Sequence, residues 1–145
     1  MASAARSSAR AEPRAVLFYD GGCGLCHLSV RSLLAMDRTG ALRFAPLGGP
    51  TFRARVPAAA RAALPDSLVL STGDGRLRVR SAAVLESLRL LGGFGRVLAG
   101  IARAVPAPLA DRLYAGVARA RSRLLPPPED VCPRVPRALR ERFLP

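Results

Sequence analysis

The fold is decided by residues 15–27, which read AVLFYDGGCGLCH. Residues 15–19 form an uninterrupted apolar run, the pattern expected of a strand that is buried on both faces. The Asp-Gly-Gly at 20–22 favours a tight turn. From residue 23 to about 38 the apolar side chains recur with a helical period. The stretch therefore predicts a buried strand that passes directly into a helix, with a Cys-x-x-Cys motif at the junction.

Working outward, the sequence predicts a β-α-β-α-β-β-α core. Pro57 must begin a helix within residues 52–64 or interrupt it. Gly73-Asp74-Gly75 has the composition of a hairpin turn, and the alternating arginines after it suit an edge strand. The remaining predicted features are strands at 42–45, 67–71 and 76–80, a helix capped by Ser81 and ended by Gly92-Gly93, and a first helix with Cys26, Val30, Leu33 and Leu34 buried and His27, Arg31 and Arg38 on its other face.

Two more amphipathic helices are expected after this core, as packing elements. Residues 126–145 begin with three prolines and predict an irregular tail with a short helix near Arg137 to Phe143. The element order is that of a thioredoxin-like α/β fold with a C-terminal helical extension. The apolar positions of the two added helices are Phe94, Val97, Leu98, Ile101 and Val105 in the first, and Leu109, Leu113, Val117 and Leu124 in the second.

The charge of the chain first suggests a nucleic-acid partner. The formal net charge is +13, from 23 basic and 10 acidic side chains. All 23 are arginines, however, spread from Arg6 to Arg142, and the chain contains no Lys, Asn, Gln or Trp. This composition indicates a chain-wide coding bias, and the 5% aromatic content offers few stacking platforms for bases. We expect no specific nucleic-acid partner.

The composition also bounds the cellular setting. No run of about 18 charge-free apolar residues is present, so we expect no membrane span. The first 13 residues lack the apolar core of a secretory signal and predict a disordered tail, with a short Arg- and Ser-rich transit segment as the alternative. We expect a cytoplasmic monomer. Three cysteines in that compartment are more often catalytic, metal-binding or inert than joined in structural disulfides.

The position of the cysteine pair carries the chemistry. At a strand-to-helix junction the first sulfur lies among unpaired backbone N–H groups, which favour the thiolate. Cys23 is therefore the candidate nucleophile. Cys26 returns to the same side of the first helical turn and is the candidate resolving thiol, able to attack a mixed disulfide at Cys23.

The neighbouring residues have two interpretations each. Asp20 is either a proton acceptor for the buried thiol or a turn residue that bonds nearby backbone N–H groups. His27 either tunes the thiol or lies solvated on a polar helix face. Gly21 and Gly22 allow the tight turn and the close approach of a substrate backbone.

Residues 19–26, YDGGCGLC, resemble the YDGxCxxC signature of the DCC family of thiol-disulfide oxidoreductases, which is named for its Asp-Cys-Cys pattern. The similarity covers about residues 15 to 144. Its further points are Asp37-Arg38, the LRFAPL at 42–47, the SAAV at 81–84, Pro106, Tyr114, Cys132-Pro133 and Arg142-Phe143.

The resemblance implies a thioredoxin-like fold and protein-disulfide reductase activity. Asp20, Cys23 and Cys26 match the eponymous positions, and Tyr19 belongs to the same signature as a supporting residue. The reaction needs no metal or organic cofactor, only a disulfide-containing protein or small molecule and an external dithiol donor. We expect one domain over residues 14–145, with its core at 14–92, a helical extension at 93–125 and the tail at 126–145.

The sequence leaves two interpretations open for Pro65 and two for Cys132. Thioredoxins place a cis-proline before the third strand to shape the substrate groove, whereas Asp66-Ser67 stands there in this chain and Pro65 comes one residue early. Either Pro65 serves in a shifted register or the groove is built differently. Cys132 is either an inert thiol or a third redox partner that folds back near Cys23.

Three other functions are compatible with the same residues. Residues 23–27 spell the C-x-x-C-H attachment site of c-type haem. The haem iron would need a distal ligand, but the chain has no second His, and its internal methionine, Met36, lies on the motif's own helix. A zinc or other metal site would use Cys23, Cys26, His27 and Cys132 as ligands. Structural zinc sites usually have two compact ligand pairs, whereas Cys132 lies far along the chain from the other three. A non-enzymatic basic interaction domain would bind nucleic acid without its cysteines.

Overall fold

The computed structural model describes residues 15–65, 68–124, 129 and 135–145, and within them four strands form one mixed sheet. The central strand β1 (Ala15–Tyr19) pairs in parallel with β2 (Leu42–Pro46) and antiparallel with β3 (Val69–Thr72). The edge strand β4 (Leu77–Val79) pairs antiparallel with β3. The order β2-β1-β3-β4 and the strand directions confirm the predicted thioredoxin-like α/β fold.

Helices cover both faces of the sheet. Residues 52–64 do not form one helix, because the chain is extended at Val56 and Pro57, and Pro57 lies at the N-cap of the next helix. The described helices are α1 (Gly24–Met36), α2 (Pro50–Arg55), α3 (Ala58–Arg61), α4 (Arg80–Leu91), α5 (Gly93–Ala102), α6 (Ala107–Leu124) and a terminal 3-10 helix (Arg137–Arg142).

The alternation of side chains along β1 divides the core in two. Leu17 and Tyr19 face the layer of α1 and α4, while Val16 and Phe18 face α2 and α3. All five residues of β1 are buried, as the continuous apolar run predicts. The edge of Phe18 packs on Phe52 of α2 with ring centroids 5.1 Å apart. Because both faces of β1 are covered, its C-terminal end is held in one place relative to α1.

The C-terminal segment 135–145 closes the free edge of β2. Phe143 forms a parallel bridge with Phe44, and the Leu144 N–H donates to the Phe44 carbonyl at 2.7 Å. The Thr51 N–H donates in turn to the Pro145 carbonyl. The ring of Phe143 stacks on Phe44 at 5.4 Å. The segment thus satisfies backbone groups that an edge strand otherwise leaves open.

A buried ion pair fastens the same segment to the end of α1. The Asp37 side chain is fully buried and accepts the backbone N–H groups of Gly40, Ala41 and Leu42. Asp37 Oδ2 also accepts a hydrogen bond from Arg142 Nη1 at 2.9 Å, and the same nitrogen donates to the Asp37 carbonyl oxygen. The carboxylate therefore holds both the α1–β2 loop and the C-terminal helix.

The packing of α4 to α6 differs from the prediction in two ways. Ser81 does not cap α4, because its hydroxyl donates to Asp111 on α6 and the helix begins at Arg80 without a side-chain cap. The apolar side chains of α5 and α6 are largely exposed, with Phe94 at 71% and Ile101 at 66%. These two helices are therefore not simply core elements.

Within the described part of the chain, no helix has the length and apolar content needed to cross a membrane.

Several predictions concern residues at or beyond the limits of the described segments. The N-terminal tail, Asp66-Ser67 and Cys132 lie outside the described residues. Pro65 is described, and none of the described peptide bonds is cis. Pro65 therefore does not serve as a cis-proline in a shifted register, and the groove beside the cysteines is built in another way.

The close approach of α5 to α4 predicts a stability difference between two glycines of one helix. A Cβ on Gly95 would lie 2.7 Å from the Leu88 carbonyl oxygen, whereas a Cβ on Gly100 would meet nothing within 4 Å. We expect Gly95→Ala to lower the free energy of unfolding by about 1–3 kcal/mol through overpacking. Gly100→Ala should raise it by about 0.5–1 kcal/mol. Urea denaturation of the two variants measures both, and equal effects would contradict the contact.

The Asp37–Arg142 pair predicts a second difference, within the terminal helix. Arg142→Leu leaves the buried carboxylate without its cation and should lower the free energy of unfolding by about 3 kcal/mol, the low end for a buried pair because three backbone donors remain. Arg140→Leu removes the same charge from an exposed position and should change it by less than about 0.5 kcal/mol. Urea denaturation again provides the comparison.

Candidate active site

The turn between β1 and α1 is held by Asp20. Its Oδ1 accepts the Gly22 N–H at 2.9 Å, and its carbonyl accepts the Cys23 N–H at 3.2 Å. An aspartate that bonds the backbone two residues ahead is a standard turn former. The structure thus provides contacts for the turn interpretation of Asp20.

Cys23 caps the N-terminus of α1. Its backbone is extended, at φ −110° and ψ 114°, and its carbonyl accepts the first helical hydrogen bond, from the His27 N–H at 3.1 Å. Its Sγ accepts the Cys26 N–H at 3.3 Å, in the place where Ser or Asp oxygens normally cap a helix. The Cys23 sulfur therefore lies in the field of the helix N-terminus, which favours negative charge.

Cys26 lies one turn further along and has a different environment. Both cysteines are free thiols, and both are buried. Burial, a hydrogen bond with Cys23 and the negative charge at Cys23 raise the pKa of Cys26 to about 12. Cys26 thus keeps its proton at neutral pH.

Asp20 also acts on Cys26. Its negative charge contributes to the raised pKa of Cys26, while a hydrogen bond between its backbone and Cys26 acts in the opposite direction. The carboxylate that holds the turn is therefore close enough to influence the resolving thiol. The turn interpretation and the proton-acceptor interpretation are compatible in this geometry.

His27 is not a solvated residue, and that interpretation is wrong. Its side chain is only 8% exposed, Nε2 lies 3.0 Å from the Gly21 carbonyl oxygen, and the ring meets Tyr19 edge to face at 5.8 Å. His27 thus ties the first turn of α1 back to the preceding loop. The sequence signal for this was present, because His27, Val30 and Leu34 are spaced i, i+3 and i+7 along the buried face.

The other residues of the signature have structural surroundings. Tyr19 is fully buried between His27 and Phe143, with ring centroids 5.8 and 6.4 Å away. Neither Gly21 nor Gly22 has a positive φ, and a Cβ on Gly22 would meet only Asp20 Oδ1, at 3.5 Å. The turn therefore does not require glycine at 22 for its backbone conformation. A close approach by substrate stays a prediction for both glycines.

A cavity of about 370 Å³ adjoins the two cysteines. Its walls come from α1, from residue 68 before β3, from α4 and from the region of α5 and α6. Tyr114 of α6 lines it, and its hydroxyl oxygen accepts the Leu68 N–H at 3.4 Å. Apart from the two cysteines, these wall residues were not predicted as part of the site. Ser81, Val84 and Tyr114 stand out in the sequence as points of similarity to the family pattern, not as site residues.

The metal alternatives find no support in the described residues. Among these, no group of three or more His, Cys, Asp or Glu side chains is arranged to hold a metal ion. His27 Nε2 lies 3.0 Å from the Gly21 carbonyl oxygen, so that nitrogen is engaged by the preceding loop. Cys132, the fourth member of the proposed set, lies outside the described residues.

Comparison with known proteins yields one match. The model of the family described as DCC1-like thiol-disulfide oxidoreductase matches residues 17–126. No curated protein and no solved structure matches the chain. The matched region contains both cysteines and the helices that line the cavity.

The raised pKa of Cys26 predicts an unusual pH dependence of alkylation. In Cys23→Ser with Cys132→Ser, burial remains as the largest cause of the shift. A raised thiol pKa lowers the thiolate fraction at neutral pH, so the iodoacetamide rate at Cys26 should rise about tenfold per pH unit from pH 8 to 10 without a plateau. The same variant unfolded in urea should bend near pH 8.5 and level off by about pH 9.5. A plateau below about pH 10 in the folded variant would contradict the expectation.

Proposed function

Because the chain belongs to the DCC1-like thiol-disulfide oxidoreductase family, we propose that it catalyses thiol-disulfide exchange through Cys23 and Cys26. The observation that carries this proposal is the pairing of the two thiols at the start of α1, where the Cys26 N–H donates to Cys23 Sγ at 3.3 Å. A side-chain hydrogen bond also joins the two thiols, and this proximity supports a role for Cys26 as the resolving thiol.

Cys23 is the nucleophile. Its sulfur caps the helix, and the unpaired N–H groups and dipole of α1 stabilise a thiolate there. Thiolate, not thiol, attacks a disulfide. In the first step the Cys23 thiolate forms a bond to one substrate sulfur while the substrate S–S bond breaks. The leaving sulfur departs as a thiolate and takes up a proton, and a mixed disulfide remains on Cys23.

Cys26 resolves the mixed disulfide. Burial keeps it protonated until it is needed, since its pKa is raised to about 12. It therefore needs a base, and Asp20, whose charge reaches Cys26, is the candidate acceptor of its proton. The resulting thiolate attacks Cys23 Sγ and releases the second substrate thiol. The protein loses two electrons and two protons, ends as a Cys23–Cys26 disulfide, and an external dithiol returns it to the reduced form.

His27 supports this site by position. Its bond to the Gly21 carbonyl and its contact with Tyr19 hold the loop that precedes Cys23. We assign it a positioning role and not a direct one. The protein is, under this proposal, a protein-disulfide reductase that works as a monomer in the cytoplasm. A reducing compartment supplies the dithiol donor that the cycle requires.

Single-cysteine variants test the assignment. The wild-type protein should accelerate the reduction of a model protein disulfide by dithiothreitol, and Cys23→Ser should lose that acceleration entirely. Cys26→Ser should retain the attack but accumulate a mixed disulfide on Cys23, visible by mass spectrometry. Placing every variant in a Cys132→Ser background removes exchange through the third thiol.

Two results would overturn the proposal. One is equal activity of wild type and Cys23→Ser; the other is a mixed disulfide that forms on Cys26 when Cys23 is present. A redox titration of the Cys23–Cys26 pair with and without Cys132→Ser also tests the third thiol. An unchanged potential makes Cys132 inert toward the pair, and a shifted one makes it a partner.

A further inference from the structure

The cavity beside the cysteine pair has a largely apolar wall. It measures about 370 Å³, within the size range of small-ligand pockets. Apart from Cys23, whose sulfur is the proposed thiolate, none of the described residues that line it carries a charge, although 23% of the chain is charged. Its apolar lining includes Leu25, Val84, Leu85, Leu113 and Val117.

The hydroxyl groups in this wall are directed to partners in the protein. Ser29 donates to the Leu25 carbonyl, and Ser81 donates to Asp111. The Tyr114 oxygen accepts the Leu68 N–H. A charged ligand would lose its hydration on entering, and apart from Cys23 no described lining side chain carries a charge to replace it, which is costly. An apolar ligand has no such favourable hydration to lose, and its transfer from water into an apolar cavity is favourable.

The two sulfurs are approached through the cavity. Cys23 is 5% exposed and Cys26 is 4% exposed, and both side chains form part of the cavity wall. The exposed side chains of Leu113 and Val117 lie at its rim. A disulfide held in a folded protein surface would have to reach buried sulfur, whereas a small molecule can enter beside it.

We propose that this cavity selects small, uncharged disulfides with apolar arms, such as dialkyl or diaryl disulfides. The inference rests on the proposed function and deepens it by naming the substrate class. One arm occupies the cavity while the sulfur attached to it meets Cys23. The Cys23 thiolate bonds to that sulfur, the other arm leaves as a thiolate and is protonated, and Cys26 then releases the bound arm as a thiol. The two electrons come from the Cys23–Cys26 dithiol, which becomes a disulfide.

A matched pair of substrates tests the selectivity. Dipropyl disulfide and dithiodipropionate both have three-carbon arms, but only the second carries carboxylates. The rate at which each oxidises the reduced protein, in a Cys132→Ser background, is divided by its rate with the same chain unfolded in urea, which removes intrinsic reactivity. We expect the normalised rate for dipropyl disulfide to exceed that for dithiodipropionate at least tenfold. Lengthening the apolar arms should raise affinity by about fourfold per methylene until the cavity is full.

Variants of α6 locate the effect. Ala110 lines the cavity, so Ala110→Leu should slow dipropyl disulfide about tenfold, while Ala107→Leu, at an exposed position of the same helix, should leave the rate unchanged. Leu113→Arg places a cation at the rim and should shift the preference toward dithiodipropionate. Because Leu113 is 60% exposed, this variant is expected to fold. If Ala110→Leu fails to fold, the substrate pair and Leu113→Arg decide the question.

The outcomes separate the inference from the proposed function. Equal normalised rates for the two small substrates, or equal effects of Ala110→Leu and Ala107→Leu, would overturn the inference and leave the exchange chemistry intact, including the reduction of the model protein disulfide. Failure of the protein to form a Cys23–Cys26 disulfide with any of these oxidants would overturn the proposed function itself.

Discussion

The complete burial of β1 is the constraint on which the rest of the structure depends. Its side chains alternate between two apolar layers, and its backbone is paired on both sides, so the strand cannot slide or tilt. The chain must leave this environment at Asp20, where a polar turn satisfies the backbone and α1 begins at Gly24. A cysteine at position 23 then becomes the cap of the helix. The location of the Cys23 sulfur is thus a consequence of how the core is packed.

The two cysteines differ because they occupy different places on one helical turn. Cys23 lies at the end of α1, where unpaired N–H groups are available, and Cys26 lies inside the first turn, against the apolar core. Burial and the neighbouring sulfur disfavour charge on Cys26, while the helix terminus favours charge at Cys23. Under the proposed function, this asymmetry makes Cys23 the attacking thiol and Cys26 the resolving one, with Asp20 as the candidate acceptor of the Cys26 proton. His27 and Asp20 also stabilise the loop before Cys23.

The parts of the chain remote from the motif complete the site. Helices α4 and α6 and the region of α5 close the side of the cysteine pair with side chains that, among the described residues, carry no charge. Tyr114 joins α6 to the residue before β3. The terminal segment closes the edge of β2 and is fastened by Asp37 and Arg142. The thioredoxin-like sheet thus positions the sulfurs, whereas the added helices shape what can reach them.

The sequence by itself determined β1, α1, the hairpin and the cysteine pair, because each depends on local periodicity, turn residues or spacing along one element. It also determined the thioredoxin-like order of elements. Only the tertiary structure decided that His27 contacts the Gly21 carbonyl, that Ser81 bonds Asp111 and that the apolar faces of α5 and α6 stay largely exposed. It also decided which residues surround the sulfurs, since Tyr114 and Leu113 are far from Cys23 along the chain. Such contacts depend on how whole helices pack against each other, and amphipathic periodicity shows that a helix has an apolar face without showing what covers it.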